Sequence, residues 1–502
     1  MIAKGVLLSA FERYRGLIDD WEAFAETVAR PQPDALRANR LRVAPAELRA
    51  RLEARGFRLR PYPWAPEVMR VESGPCPPGS TFEHWLGLFY LQEAAAALPV
   101  VALDPQPGER ILDLSAAPGG KTTQIAERVG PAGLVVANEA DPARAGWLLA
   151  NLGRMGVTSV VTTVTDGRRF PGGLAFDRVL VDAPCSGEGN LRRDSQARKP
   201  VRPGRRQHLA SLQEALLRRA LELVRPGGVV VYSTCTFAPE EDEAVLDAVL
   251  RAARGAVEAE ELPAGLPGVE GAGSWEGVDF LPQVRRARRL YPHHLDSGGM
   301  FLARLRRLGS LPWSGGGSSP DGGPDRALPE ERPDEAAAAE IGEWLEERFG
   351  IPVAALRGLH VYRRGVRTWL SSSPQLPAWP ERWTAGLPLA RWTGRHWWPS
   401  GFALHRLGGL ASRQWAELDR ERLRELLEGR GLSPEASGVT RPREVPLERG
   451  LVILRTGGAG LGLGRYDGHL LHASLARERA KQLLSCLVQQ GGMPERADPG
   501  LA

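Results

Sequence analysis

The chain has 502 residues, more than one hydrophobic core usually organises, so roughly two to four domains are expected. It is 42% hydrophobic and 25% charged, and no apolar run approaches the roughly 18 residues of a membrane helix, which argues against a helical membrane protein. A net charge of +5 with a pI near 9.2 permits a polyanionic partner without requiring one.

In chain order, residues 1–14 lack the apolar stretch and small-residue cleavage pattern of a secretory signal, so the expected compartment is the cytoplasm. Residues 1–75 mix short helical patterns with Pro/Arg-rich connections and predict a small separate α+β module. From 109 to about 305, short β-branched runs alternate with amphipathic segments of helical length, the pattern of βαβ units and a mostly parallel sheet. Residues 76–307 are therefore expected to form one α/β domain with a Rossmann-like sheet. Its strands are predicted at 110–114, 134–137, 160–164, 178–181, 229–233 and 301–305, and its helices at 122–128, 142–155, 209–223 and 240–254. Pro142 stands where the first turn of a helix accepts proline.

Residues 308–334, with the run SGGGSSPDGGP, are too rich in Gly, Ser and Pro to bury a core and predict a flexible linker. Beyond it, 335–435 reads as an α+β module and 436–502 as a β-rich one. Seven of the 14 tryptophans lie between Trp369 and Trp415, interleaved with Arg367, Arg382, Arg391 and Arg395. Exposed, such residues stack on bases and grip phosphate; packed in a small β-rich core they do neither, and most of these tryptophans are expected to be buried. No repeat of fixed period is present.

Four cysteines, Cys76, Cys185, Cys235 and Cys486, are too few and scattered for a disulfide framework, and no CxxC pair or His/Cys cluster suggests a metal. Cys486, in the helix-like stretch 477–489, is expected to be core. Only four of the 65 basic residues are lysines, a skew that a GC-rich genome also produces, so Lys121 stands out.

The first core strand runs into Ser115, Ala116, Ala117, Pro118, Gly119, Gly120 and Lys121, and a helix follows. Glycines directly after a first strand let the backbone approach a ligand and open a helix N-terminus beneath it. Glu139, 19 residues after Gly120, ends the second strand, where an acidic side chain accepts ribose hydroxyls, and Asp166 follows the third, placed for an adenine edge. A phosphate-binding P-loop would need glycine at position 115, which is serine, and a dinucleotide GxGxxG pattern is replaced by Ala116, Ala117 and Pro118 before the paired glycines. The favoured ligand is S-adenosyl-L-methionine.

Strand four leads into Asp182-Ala-Pro-Cys185, and strand five into Ser233-Thr-Cys235-Thr. In the methyltransferase variant of this sheet these strands are neighbours, so two cysteines 50 residues apart are expected to face one cleft. Carbon 5 of cytosine is too weak a nucleophile to attack a methyl sulfonium. A thiolate adding to carbon 6 turns the ring into an enamine that can take the methyl, after which a base removes the carbon 5 proton and the thiolate leaves. Lys121 is a candidate cation to favour that thiolate, and Asp182 can pair with cytosine N3 and its exocyclic amine. Amine methylation would need an Asn/Asp-Pro-Pro-aromatic strand end, which is absent here. On these residues alone either cysteine can be the nucleophile.

Ser115-Ala-Ala-Pro-Gly-Gly-Lys121, Asp182-Ala-Pro-Cys-Ser-Gly187 and Ser233-Thr-Cys-Thr236 together resemble the Sun-type RNA cytosine-5 methyltransferases. Flanking agreement comes from Leu36-Arg-Ala-Asn39, Tyr90-Leu-Gln-Glu93, Gln213 and Arg289-Leu-Tyr-Pro-His293, so the likeness spans about 36–305. It implies Cys235 as nucleophile, Cys185 as the cysteine that releases the finished base, and cofactor contacts from Ser115 through Lys121, Glu139, Arg144, Asp166 and Asp182. It also implies a monomer without metal. The C-terminal third resembles the small-subunit ribosomal RNA branch, RsmF-type, implying 16S rRNA or the small subunit as partner, an RNA-binding N-terminal module and a PUA-like RNA-binding module at 436–502. A tRNA-directed enzyme, or an RNA-binding assembly factor with a vestigial site, are the alternatives. Two stretches depart from the family pattern: Ser297-Gly-Gly-Met-Phe301 replaces Gly-Glu-Gly-His-Phe, and 470–477 lacks Lys-Asn-x-x-Pro.

Overall fold

A computed structural model of the chain describes residues 9–313, 330–378, 382–442 and 444–475, with 480, 481, 483, 484 and 487. Cys486, Trp379, the side chain of Trp383 and most of the expected linker lie outside the described residues.

The N-terminal part opens with a helix, Trp21–Val28, capped by the Asp20 carboxylate accepting from Ala23 N–H. Four strands follow, β1 (Ala35–Ala38), β2 (Arg58–Tyr62), β3 (Ala65–Ser73) and β4 (Phe89–Leu91), in the antiparallel order β2-β3-β1-β4. This sheet closes at Leu91, beyond the boundary expected at 75. β4 is only three residues long and pairs with distant β1, Leu36 opposite Leu91 and Ala38 opposite Phe89, so no local periodicity announces it. Arg37, wholly buried, ties β1 to the core: its guanidinium donates to Gln92 Oε1 at 2.8 Å, Thr123 Oγ1 at 2.7 Å and Gly120 O at 3.1 Å, and pairs with Glu127.

The core sheet contains β5 (Arg110–Asp113), β6 (Leu134–Asn138), β7 (Val160–Thr163), β8 (Phe176–Asp182) and β9 (Val224–Thr234), parallel and in the order β7-β6-β5-β8-β9. The strand Met300–Arg307 runs antiparallel beside β9, and Val257–Glu260 pairs with its outer edge. Alternate residues face opposite layers, as a two-sided parallel sheet requires. Leu112, Val136, Val181 and Val230 pack under the helices Pro203–Leu223 and Glu243–Ala253. Ile111, Val135, Leu180 and Val231 pack with Ala94–Leu103, Gly120–Val129 and Pro142–Met155. Strand order reverses at β5, so the crevice at the carboxyl ends of β5, β6, β8 and β9 is where a ligand binds in such a fold.

The C-terminal region is bound to this core. The strand Arg382–Ala385 pairs antiparallel with β7, and Thr162 Oγ1 and Thr384 Oγ1 meet at 2.7 Å, so the outer edge of the parallel sheet is covered. A four-stranded antiparallel sheet (His360–Arg364, Arg367–Ser371, Leu387–Trp392, Trp397–Pro399) lies next to the helix Glu335–Phe349. A five-stranded sheet places Trp415–Leu418 between Val439–Thr440 and Gly450–Thr456. The boundary expected at 435 therefore cuts through a sheet, because one of its inner strands comes from before that point. Leu48, Phe57 and Trp85 of the N-terminal part share one apolar cluster with Leu418, Leu454 and Leu471. Among the described residues no helix is long and apolar enough to cross a membrane.

Candidate active site

After β5 the chain turns into the helix Gly120–Val129, with Gly119 as its cap at φ 106°, a left-handed conformation that a Cβ resists. The loop is fixed from several sides. Tyr90 Oη and Asn151 Nδ2 donate to Pro118 O at 3.3 and 3.0 Å, and Arg144 Nη2 donates to Ala117 O at 3.0 Å. Glu139, buried just past β6, accepts from the N–H of Ala117 at 3.3 Å and of Asp141 at 3.1 Å. The structure thus gathers 115–120, Glu139 and Arg144 in one place. Asp166 stands beyond β7 with its carboxylate on Arg168, 2.5 Å away, and that hydrogen bond holds it below the usual carboxylate range.

Beneath the loop lies Asp113, which sequence reasoning did not single out. Its Oδ2 accepts from Thr122 Oγ1 at 2.7 Å, while its buried Oδ1 has no hydrogen-bond partner. Burial, reinforced by nearby Asp182 and opposed by the Thr122 bond, pushes its carboxyl up to about 7.

β8 and β9 end side by side, Asp182 in register with Ser233, so the loops that follow emerge together. Cys185 Sγ and Cys235 Sγ are 3.3 Å apart, both free thiols and both half-buried. Cys235 N–H donates to Cys185 Sγ at 3.3 Å, and Asn190 Nδ2 donates to Cys235 Sγ at 3.4 Å. The contact with Cys235, aided by burial, pushes the Cys185 thiol well above its ordinary range. Lys121 Nζ is 2.7 Å from Asp182 Oδ2, and Ser233 Oγ donates to Asp182 Oδ1 at 2.8 Å. Burial alone would depress the Lys121 ammonium, but Asp182, Asp113 and Cys235 outweigh it and keep it charged. The lysine expected beside a thiolate is thus held first by a carboxylate.

A second group of side chains cross-braces the two cysteine loops. Glu241 Oε2 accepts from Ser186 N–H at 2.9 Å and from Gln213 Nε2 at 3.0 Å, and Gln213 also donates to Pro184 O at 2.9 Å. Buried Glu188 accepts from Tyr14 Oη at 2.9 Å, Thr236 Oγ1 at 3.0 Å and Arg206 Nη2 at 3.0 Å. Gly189 N–H donates to Cys235 O at 2.8 Å, and Gly299 N–H to Gly189 O at 3.0 Å; a Cβ on Gly189 would meet Gly299 O at 2.4 Å. Tyr14, Glu188, Asn190 and Arg206 were not predicted, since they meet only in three dimensions. Gly299 lies within Ser297-Gly-Gly-Met-Phe301, a stretch that the sequence marks only as a departure from the family pattern.

Among the described residues, Asp19, His293 and His294 bring three possible metal-ligand atoms within 4.8 Å. Tyr291 N–H donates to His294 Nδ1 at 3.1 Å, so in the neutral ring the proton sits on Nε2, which donates to Asp19 at 3.1 Å. That tautomer has no lone pair for a metal, and the cluster fits a hydrogen-bonded clasp between the N-terminal helices and the core.

The family profile described as "16S rRNA methyltransferase RsmB/F" matches residues 100–306, and "N-terminal domain of 16S rRNA methyltransferase RsmF" matches 10–94. The chain is 39% identical over 301 residues to "Ribosomal RNA small subunit methyltransferase F" of Erwinia tasmaniensis, covering 59% of this chain and 61% of that protein. The protein of the same name from Klebsiella pneumoniae is 40% identical over 299 residues, with 58% and 61% covered. The chain thus spans about three fifths of the length of these curated relatives. A solved methyltransferase homolog from Pyrococcus horikoshii shares 35% identity at a TM-score of 0.51, over 57% of this chain and 90% of that one. Pyrococcus horikoshii NSun6, 21% identical at a TM-score of 0.50 and covering 61% and 98%, shares the fold.

Proposed function

We propose that this chain is a methyltransferase of the RsmB/F family and that it methylates carbon 5 of a cytidine in 16S rRNA, with S-adenosyl-L-methionine as donor and Cys235 as covalent nucleophile. The observation that carries the reading is the pair of free thiols 3.3 Å apart at two neighbouring strand ends, beside the Lys121–Asp182 pair and the loop after β5.

The residues fit the donor. The loop 115–120 stands over a helix N-terminus, Glu139 offers a buried carboxylate at its side, and Asp113 Oδ1 is a buried acceptor without a partner. Ser115 through Lys121, Glu139 and Arg144 would hold the nucleoside and amino-acid parts, with Asp166 available to the adenine once it leaves Arg168. When bound, S-adenosyl-L-methionine supplies an electrophilic methyl group.

The Cys235 thiolate adds to carbon 6 of the cytosine, forming the C–S bond and moving the ring electrons onto carbon 5. Asp182, fixed by Lys121 and Ser233, faces N3 and the exocyclic amine and favours the ring form that accepts the thiolate. Once carbon 5 is methylated, its proton is removed and the carbon 6–sulfur bond breaks, regenerating Cys235. Cys185 is the residue assigned to that release. The contact with Cys235, then burial, then the charge of Cys235 raise the Cys185 thiol, so capture of Cys235 in the adduct removes two of these causes and lets Cys185 ionise more readily to take the carbon 5 proton. None of these steps requires a metal. The enzyme is proposed to act as a cytoplasmic monomer, its terminal modules holding the RNA while the target base leaves its stack.

The test is nucleoside mass spectrometry of 16S rRNA incubated with the purified chain and S-adenosyl-L-methionine. Formation of 5-methylcytidine by the wild type and none by Cys235→Ala is expected; methyl found on an exocyclic amine, or equal yields from both proteins, overturns the proposal.

A further inference from the structure

Among the described residues, two groups stand within hydrogen-bond reach of Cys235 Sγ: the Cys185 sulfur at 3.3 Å, and the side chain of Asn190, whose Nδ2 donates at 3.4 Å. Asn190 lies three residues beyond the stretch 182–187 that carries the family likeness, at the end of the short turn Glu188–Asn190. Backbone bonds and a neighbouring carboxylate hold that turn in place without the Asn190 side chain. Gly187 opens it at φ 78°, and Asn190 N–H closes back onto Gly187 O at 2.9 Å. Gly189 is tied to Cys235 O and to Gly299 N–H, and Asn190 O accepts from the N–H of Arg193 and of Asp194, each at 2.9 Å. Glu188 joins the turn to Thr236, directly after the nucleophile. The half-buried carboxamide of Asn190 makes one hydrogen bond among the described residues, and that bond ends on the sulfur.

We propose that Asn190 is a further catalytic residue, the hydrogen-bond donor that stabilises the Cys235 thiolate before it attacks carbon 6 and again when it leaves. The inference rests on the functional reading above, in which Cys235 is the nucleophile. Toward a neutral thiol an amide can turn either end, its oxygen accepting from S–H or its NH2 donating to sulfur; toward a thiolate only the NH2 end attracts. A hydrogen bond to an ionised acceptor is roughly twice as strong as one between neutral groups, so the contact favours the charged sulfur over the thiol. The other groups near this sulfur are committed elsewhere. Lys121 sits on Asp182 at 2.7 Å and reaches Cys235 through its charge. The Glu188 carboxylate is taken up by Tyr14, Thr236 and Arg206. Cys185 offers a weak S–H donor, and it is the group assigned to accept a proton during release. The amide therefore stays on the sulfur through both steps.

The experiment is alkylation of the full chain by iodoacetamide across a pH series, with the peptide that carries Cys235 quantified by mass spectrometry. The thiolate displaces iodide and forms the carbon–sulfur bond, so the rate reads the ionised fraction of Cys235. In Asn190→Leu, which keeps the bulk and removes the donor, the rate at neutral pH should fall roughly tenfold. Asn190→Asp should lose more, because its carboxylate faces the sulfur. Both deficits should close as pH rises, since a lost donor lowers only the ionised fraction, whereas a displaced loop slows alkylation at every pH. Methylation by Asn190→Leu should show kcat reduced with KM for RNA unchanged. A wild-type alkylation rate in Asn190→Leu, or a deficit of constant size across the series, overturns the role. Failure of the wild type to methylate RNA would refute the functional reading separately, since the alkylation requires neither RNA nor methyl donor.

Discussion

Around the two thiols, Glu188, Glu241, Arg206 and Tyr14 are buried and bonded to one another, whereas on the C-terminal sheet Arg364, Arg367 and Arg391 stand exposed with cation opposite cation. The first arrangement spends its charges inside the fold: each carboxylate fixes two loops whose sulfurs must meet. The second keeps its charges at the surface. The same residue types thus position the loops in one region and stand in solvent in the other, and burial is what separates the two.

The comparison breaks hardest at Glu188. Glu188→Ala strands buried Arg206 and Tyr14, and loss of one partner from a buried pair costs about 3–5 kcal/mol; chemical denaturation should show it, with methylation falling as the loops separate. Asp113 sharpens the same side. Its carboxyl titrates at about 7 in the fold against 3.8 for the free group, so the folded state holds the proton over that interval. The stability it contributes is complete below pH 3.8 and is lost as pH rises through 7, at most about 4 kcal/mol. Melting temperatures of the wild type should therefore fall from pH 5 to 8 more than those of Asp113→Asn; parallel curves would rule this out. At the seam between the regions, Thr384→Val removes one buried hydrogen bond to Thr162 and should cost about 1–2 kcal/mol. On the C-terminal surface, Arg395→Gln should change stability by less than about 0.5 kcal/mol, as at any exposed position without a structural partner.

The catalytic loops were legible because their chemistry is local: glycines after a first strand, and cysteines directly after strands four and five. The core strands were legible too, through runs such as Val229 to Tyr232 that face two apolar layers. What escaped was non-local. β4 has three residues and a partner some fifty positions away, Arg382–Ala385 completes a sheet begun at residue 110, and Trp415–Leu418 sits inside a sheet otherwise built after 438. Tyr14 reaches Glu188 across 174 residues, a separation no pattern can encode. The expectation that most C-terminal tryptophans are buried held for Trp369 and Trp397 but not for Trp392, Trp398 and Trp415, which are half-buried and pack against the edge of an apolar cluster shared by two sheets rather than inside it.

The most direct test of the paired-thiol mechanism is covalent trapping. Cys185→Ala incubated with 16S rRNA and S-adenosyl-L-methionine should yield an RNA–protein adduct that survives a denaturing gel, and Cys185→Ala/Cys235→Ala should yield none. Free turnover by Cys185→Ala without adduct, or an adduct that persists in the double variant, would contradict the division of labour between the two sulfurs.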